Sequence, residues 1–166
     1  QMGGKGLFTK EIEDSLLSRK IDIAVHSMKD MPICQPEGLI IDTFLPREDV
    51  RDALISYNYS SIKDLGSGVA LGTSSIRRKA QVLNLRPDLQ VKNFRGNVQT
   101  RIEKLRTNNV AATFLALAGL NRLNLMDIPV FAIEVDEMLP AIAQGAIGVE
   151  RRINDLSSAF LLEPIP

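Results

Sequence analysis

Tryptophan is absent from the 166 residues, cysteine and histidine occur once each, and the aromatic side chains are six Phe and two Tyr. A single cysteine excludes an internal disulfide and every multi-cysteine metal site, and with one histidine beside it no ligand set for structural zinc remains. So few aromatics give little surface for stacking nucleic-acid bases. Charge of one sign is missing as well. The 20 basic and 20 acidic residues cancel, so no global field draws the chain onto nucleic acid. No apolar run approaches the roughly 18 residues of a membrane span, and the opening "QMGGKGLFTK" lacks the charged-then-apolar order of a signal peptide. Neither a nucleic-acid nor a membrane partner is expected. The phosphate-binding patterns GxxxxGK[ST] and GxGxxG after a strand are also missing.

What is present is a globular composition, 45% hydrophobic and 24% charged, with strand-like and helix-like stretches in alternation. Leu7, Phe8, Ile12, Leu16 and Leu17 fall at helical spacing, "IDIAV" reads as a short buried strand and "GLIIDTFL" as another. After "PREDVRDALIS" the cycle is regular. Strand "GVALG" precedes helix "SSIRRKAQVLNL", stopped by Pro87, and strand "LQVKNF" precedes helix "NVQTRIEKLRTN". Strand "VAATFLA" then leads to helix "LAGLNRLNL". "VFAIEV" and "GAIGVERR" read as strands, and "INDLSSAFLLEP" as a last helix capped by Asn154 or a neighbour. The alternation predicts an α/β fold with mostly parallel sheets. "LPREDVRDAL" and "EMLPAIAQG" read as crossings into a second lobe and back.

In an open α/β sheet, ligands bind outside the carboxyl ends of the strands. Four polar clusters are expected there: "HSMKD", "TSSIRR", "RGN" with Arg101, and "AGLNR". Thr73, Ser74 and Ser75 before Arg77 and Arg78 make an anion cradle at a helix N-terminus. Five arginines (Arg77, Arg78, Arg95, Arg101, Arg122) with Lys5 and Lys29 suit a multiply anionic ligand, a polycarboxylate better than a phosphate. Plainer readings stand beside these. Arg101 and Arg122 fit solvated helix faces, the Arg77-Arg78 doublet fits pairing with nearby acids, and Lys29-Asp30 fits a local turn. His26 fits a buried hydrogen bond, Cys34 an inert half-buried thiol, and Gly145 a requirement of backbone geometry.

The stretches "GGKGLFTKE", "DIAVHSMKD", "REDVRDA", "GTSSIRRKAQ", "NFRGNVQTR", "LALAGLNRL" and "LPAIAQGAIGVE" resemble, in order and over nearly the whole chain, the porphobilinogen deaminase (hydroxymethylbilane synthase) family. The resemblance implies two lobes of the type II periplasmic-binding-protein kind, with helices on both sheet faces and a chain that crosses twice between the lobes. Lobe one is expected at 1–45 plus 146–163, N-terminally incomplete, and lobe two at 51–140. It also implies a transferase that joins four porphobilinogen units head to tail, with loss of ammonia, on a covalently held dipyrromethane cofactor. Each pyrrole carries an acetate and a propionate, which fits the polycarboxylate reading.

By matching motif, Asp30 is the implied catalytic carboxylate, kept ionised to stabilise the azafulvenium-type cation left when ammonia departs. Lys29, Ser27, Thr73, Ser75, Arg77, Arg78, Arg95, Asn97 and Gln144 are implied cofactor contacts, and Arg101, Lys5 and Arg122 substrate contacts. The family's tether cysteine lies in a third domain, and Cys34, in "MPICQPEG", does not match it. The resemblance therefore implies a partial chain, inactive by itself, from a monomeric enzyme of the cytoplasm, or of the plastid in a plant or alga. Two rivals are a two-lobed anion-binding protein without chemistry and a nucleic-acid binder using the "RRK" helix.

Overall fold

A buried acid on a central strand organises each half of the molecule, and the order of elements explains how it gets there. The computed structural model describes residues 5–107, 110–125 and 127–165, and for residues 5–8 the backbone alone. The chain divides into two compact units, residues 1–48 with 142–166 and residues 49–141. The expected bounds were 1–45 with 146–163 and 51–140.

In the first unit, α1 (Lys5–Leu17) leads to β1 (Ile23–Ser27), a short 3-10 turn (Met28–Asp30) and β2 (Leu39–Phe44). After the return crossing come β8 (Ile147–Arg152) and α5 (Leu156–Leu162). β8 lies between β1 and β2 and runs antiparallel to both. Leu16, Ala24 and Leu39 form the small core under α1, with Ile12 and Ile21 against it. The strand expected to be wholly buried begins at Ile23 and alternates instead: Ala24 and His26 face the core, while Ile23 and Val25 are exposed. One helix-covered face requires period-two burial, which a five-residue apolar run conceals.

The second unit holds β3 (Asp52–Ile55), β4 (Ala70–Gly72), α2 (Ile76–Leu85), β5 (Gln90–Lys92) and α3 (Val98–Arg106), then β6 (Ala112–Ala116), α4 (Leu117–Arg122) and β7 (Val130–Ala132). The sheet order is β5-β4-β6-β3-β7. β4 is parallel to β5 and β6, whereas β3 is antiparallel to β6 and β7, so β3 alone is reversed and the sheet is mostly parallel. One core cluster gathers Leu54, Leu71, Phe114 and Met138 with Val82 of α2. The other gathers Ala53, Ile55 and Leu115 with Leu105 of α3 and Leu120 of α4. Helices thus cover both faces, as the alternation predicts.

Two expectations need correction. The first crossing was read through Leu54, but β3 starts at Asp52 and is buried along its length. Its leading Asp made a core strand look like a linker. Cys34 is exposed, not half-buried. The final helix is capped by Asp155, whose side chain accepts from the Ser158 N–H at 3.0 Å. Among the described residues, no helix is long and apolar enough to cross a membrane.

Two predictions follow from the first unit. A Cβ added at Gly148 would stand 2.5 Å from Met28 Sδ and 2.7 Å from Ile41 Cγ2. Gly148→Ala should therefore cost about 1–3 kcal/mol of stability, read by urea unfolding, because the added carbon must displace Met28 and Ile41. Burial, then the charge of Glu150, raises the Glu13 carboxyl above its ordinary 4.5 against the opposing pull of His26. A raised folded-state pKa gives stability that is full below 4.5 and lost as pH rises through the folded value. Glu13→Gln should thus be more stable than the parent at neutral pH, the gap closing in acid.

Candidate functional site

Parallel strands end at one edge of a sheet, so the loops after β4, β5 and β6 meet at one edge of the second unit. The loop after β4 turns sharply. Thr73 Oγ1 accepts from the Ser75 N–H at 3.2 Å, and Ser75 Oγ caps α2 by accepting from the Arg78 N–H at 3.4 Å. After β5, Asn97 caps α3 with Oδ1, which accepts from the Thr100 N–H at 2.8 Å. Because the oxygens of Thr73, Ser75 and Asn97 act as acceptors, their hydroxyl and amide hydrogens remain to donate. Ser74 differs: its hydroxyl donates to Asn93 Oδ1 at 2.7 Å, which stitches the two loops together.

The arginine doublet is anchored from below. Asp52, fully buried at the start of β3, accepts from Arg77 Nη2 through Oδ2 and from Arg78 Nη2 through Oδ1, each at 2.7 Å. Arg78 also donates from Nη1 to the Phe114 carbonyl at 2.8 Å, while its buried Nε–H has no acceptor. Arg77 is one-quarter exposed and also donates from Nη1 to the Leu139 carbonyl. Gln81 pins that carbonyl's residue, donating to its oxygen at 3.1 Å and accepting from its N–H at 2.8 Å. Arg101 donates from Nε to the Gly96 carbonyl at 2.9 Å. Burial, and then the neighbouring Arg78 charge, lowers the Arg101 pKa.

Arg95 is exposed after β5, and its carbonyl accepts from Lys104 Nζ at 2.9 Å. Arg122 is the last residue of α4 and exposed, about 9 Å of helix beyond the strand edge. "AGLNR" is therefore helix body, not an edge loop. A cavity of about 340 Å³ lies beside the α2 N-terminus, lined by Thr73, Ser74, Ser75, Ile76, Lys79, Val91 and Asn93. No arginine lines it, so the guanidinium cluster is a separate feature.

In the first unit, Ser27 ends β1, and Lys29 and Asp30 sit on the 3-10 turn, with Ser27 and Asp30 exposed. The Met28 N–H donates to the Ala146 carbonyl at 3.1 Å and the Met31 N–H to the Met28 carbonyl at 3.3 Å. The Met28 side chain lies over Gly148. Gln144 is fully buried, and its carbonyl accepts from Arg47 Nε at 3.1 Å. Gly145, expected to serve backbone geometry, has φ of 87°. The Lys5 side chain lies outside the described residues. His26 makes the buried hydrogen bond that its plainer reading anticipated, Nε2 to Glu150 Oε2 at 2.9 Å.

Asp52 was missed by sequence reasoning, although the doublet's need for an acid was a signal. Lys79 and Asn93 carried none. Among the described residues no cluster of His, Cys, Asp or Glu could hold a metal ion.

Comparison with known proteins gives these features a family. Residues 1–159 match the family described as porphobilinogen deaminase, dipyromethane cofactor binding domain. The porphobilinogen deaminase of Paracoccus denitrificans is 59% identical over 165 residues, covering 99% of this chain and 53% of that protein. The chloroplastic porphobilinogen deaminase of Oryza sativa is 58% identical over 154 residues, covering 93% and 43%. The chain thus spans about half the length of the curated relatives it matches. Among solved structures, a probable amino-acid ABC transporter extracellular-binding protein of Bacillus subtilis aligns with a TM-score of 0.53 at 16% identity, covering 88% of this chain and 64% of that one. The periplasmic aliphatic sulphonate binding protein of Escherichia coli gives 0.52 at 14% identity, covering 91% and 52%. At such identities the likeness concerns the fold alone, the two-lobed type II periplasmic-binding kind. On its sequence from end to end, the chain belongs to the porphobilinogen deaminase family.

Proposed function

We propose that this chain is the cofactor-binding and condensing part of a hydroxymethylbilane synthase, a transferase that joins four porphobilinogen units head to tail and releases ammonia at each step. The observation that carries the reading is the Arg77-Arg78 doublet, held by Asp52 at the same sheet edge as Thr73 and Ser75 and with Arg77 one-quarter exposed. Planar forks beside hydroxyl donors fit a guest rich in carboxylates, and a dipyrromethane with its acetate and propionate groups is such a guest.

The residues fit that group by their chemistry. In the second unit Thr73, Ser75 and Asn97 offer hydrogens and Arg77, Arg78, Arg95, Arg101 and Arg122 offer planar forks; in the first unit Ser27, Lys29, Gln144 and Lys5 are the corresponding candidates. When bound, a dipyrromethane supplies the nucleophilic pyrrole carbon that the first substrate unit joins. The chain's own part is to hold carboxylates, orient the pyrrole rings and stabilise charge. Asp30 is the carboxylate that stabilises the cation formed as porphobilinogen loses ammonia and accepts the pyrrole N–H. The enzyme acts as a monomer on a small molecule, in the cytoplasm or plastid.

Asp30→Asn in the full-length protein should lower the rate of ammonia release on the order of 100-fold or more, while bound porphobilinogen is retained. An unchanged rate would remove Asp30 from the chemistry. Retained binding with no turnover in the parent protein would instead favour an anion-binding protein. The full-length gene product should weigh two pyrrole rings more than its translated sequence. The purified 166-residue chain should show no steady turnover of porphobilinogen, and sustained turnover would contradict its reading as a partial enzyme.

A further inference from the structure

β1 carries the Met28–Asp30 turn on its end, and little apolar contact holds it there. Among the described residues β1 is an edge strand, bonded to β8 on one side only. Of its five residues only Ala24 and His26 are buried, so His26 is the one long side chain that β1 sends into the core. The apolar cluster it joins is small, Leu16, Ala24 and Leu39. An edge strand held so lightly can twist on its ladder, and the turn at its end would move with it.

A directional bond supplies what the apolar cluster lacks. His26 stands opposite Gly148 in register, and its Nε2 reaches diagonally to Oε2 of Glu150, two residues along β8, at 2.9 Å. Glu150 has no exposure, and among the described residues its Oε1 has no hydrogen-bond partner, so the imidazole is what the carboxyl is fixed against. Neither group can turn away without leaving a polar atom unpaired in a dry site. Just beyond, the Met28 N–H bonds the Ala146 carbonyl at 3.1 Å, and the Met28 thioether rests over Gly148, the residue opposite His26. The strand end is thus fastened to β8 on both sides of Ser27, at His26 by a buried side chain and at Met28 by backbone and packing. Asp30 follows two residues later.

We propose that His26 and Glu150 are positioning residues, whose buried bond fixes the end of β1 and so holds the Asp30 carboxylate in one place against the reacting pyrrole. The proposal rests on the function argued above, in which Asp30 stabilises the cation formed as ammonia leaves. Such stabilisation depends on where the carboxylate stands, and a displacement of about 1 Å can cost on the order of 100-fold in rate. Neither His26 nor Glu150 touches the substrate, so their effect belongs to the rate and not to affinity.

The test uses the full-length protein and reads porphobilinogen turnover per cofactor-loaded molecule, together with urea unfolding. In His26→Leu with Glu150→Leu, both partners become apolar and no polar atom of the pair is left unpaired, so stability should stay near that of the parent. Its kcat should nevertheless fall on the order of tenfold, with KM unchanged. Glu150→Gln, which keeps an oxygen for the imidazole, should retain most of the parent kcat. Asp30→Glu keeps the charge but moves it, so adding the two leucines to Asp30→Glu should cost little more. A folded double-leucine protein with the parent kcat, or one whose loss is as large in the Asp30→Glu background, would overturn the proposal. A double-leucine protein that does not fold, while Glu150→Gln folds and turns over normally, would assign the pair to stability alone and overturn it as well. Failure of the functional reading looks different: the parent itself would not turn over porphobilinogen.

Discussion

A fully buried carboxylate cannot stand alone, and the second unit is arranged around meeting that requirement. Asp52 is the first residue of β3 and has no exposure. Removing a charge from water costs several kcal/mol after relaxation, so α2 must begin where its first turn delivers Arg77 and Arg78 to the two oxygens. Much follows from that. The Ser75 cap fixes where α2 starts, the Thr73 turn fixes how the chain leaves β4, and the Ser74–Asn93 bond ties in the loop that carries Arg95 and Asn97. The residues expected to hold a ligand are therefore also the residues that shape the loops.

The first unit repeats the motif with different chemistry. Its central strand, β8, also carries a fully buried acid, Glu150, paired with the His26 imidazole at 2.9 Å. His26 lies on β1 four residues before Asp30, and Glu13 of α1 is buried near both. This buried hydrogen bond is thus built into the strand that ends in the Lys29-Asp30 turn. It bears on that turn through the backbone of β1, since Ser27 pairs in register with Ile147.

The order of strands and helices was legible because period-two and period-3.6 patterns alternate with polar breaks, and because Pro87 and the Ser and Asn caps mark helix limits. β3 was not legible, because its first residue is charged and its partners lie 25 and 26 positions away. Local pattern reports the water-loving character of Asp52, not the cations that neutralise it. Arg122 was flagged by a motif that continues into a helix, so its place at the end of α4 was legible only once the helix was seen. The motif "HSMKD" was informative because five residues divide their work. His26 turns to the core, Met28 turns over Gly148, and the turn leaves Asp30 exposed.

Topology explains why both chain crossings touch these groups. In each unit the reversed strand is the first one after a crossing, β3 after residue 48 and β8 after residue 141. An antiparallel strand starts where its neighbours finish: Asp52 faces Ala116 at the end of β6, and Ile147 faces Ser27 at the end of β1. The neighbours' carboxyl ends are where ligand-binding loops gather. The segment leading into each reversed strand is therefore delivered to that edge by strand direction alone. In the second unit it brings Asp52 beneath the arginines, and in the first it brings Gln144 and the Ala146 carbonyl beside the Met28–Asp30 turn. A fold that reverses one interior strand in each sheet thus brings one extra segment to the carboxyl-end edge of each sheet.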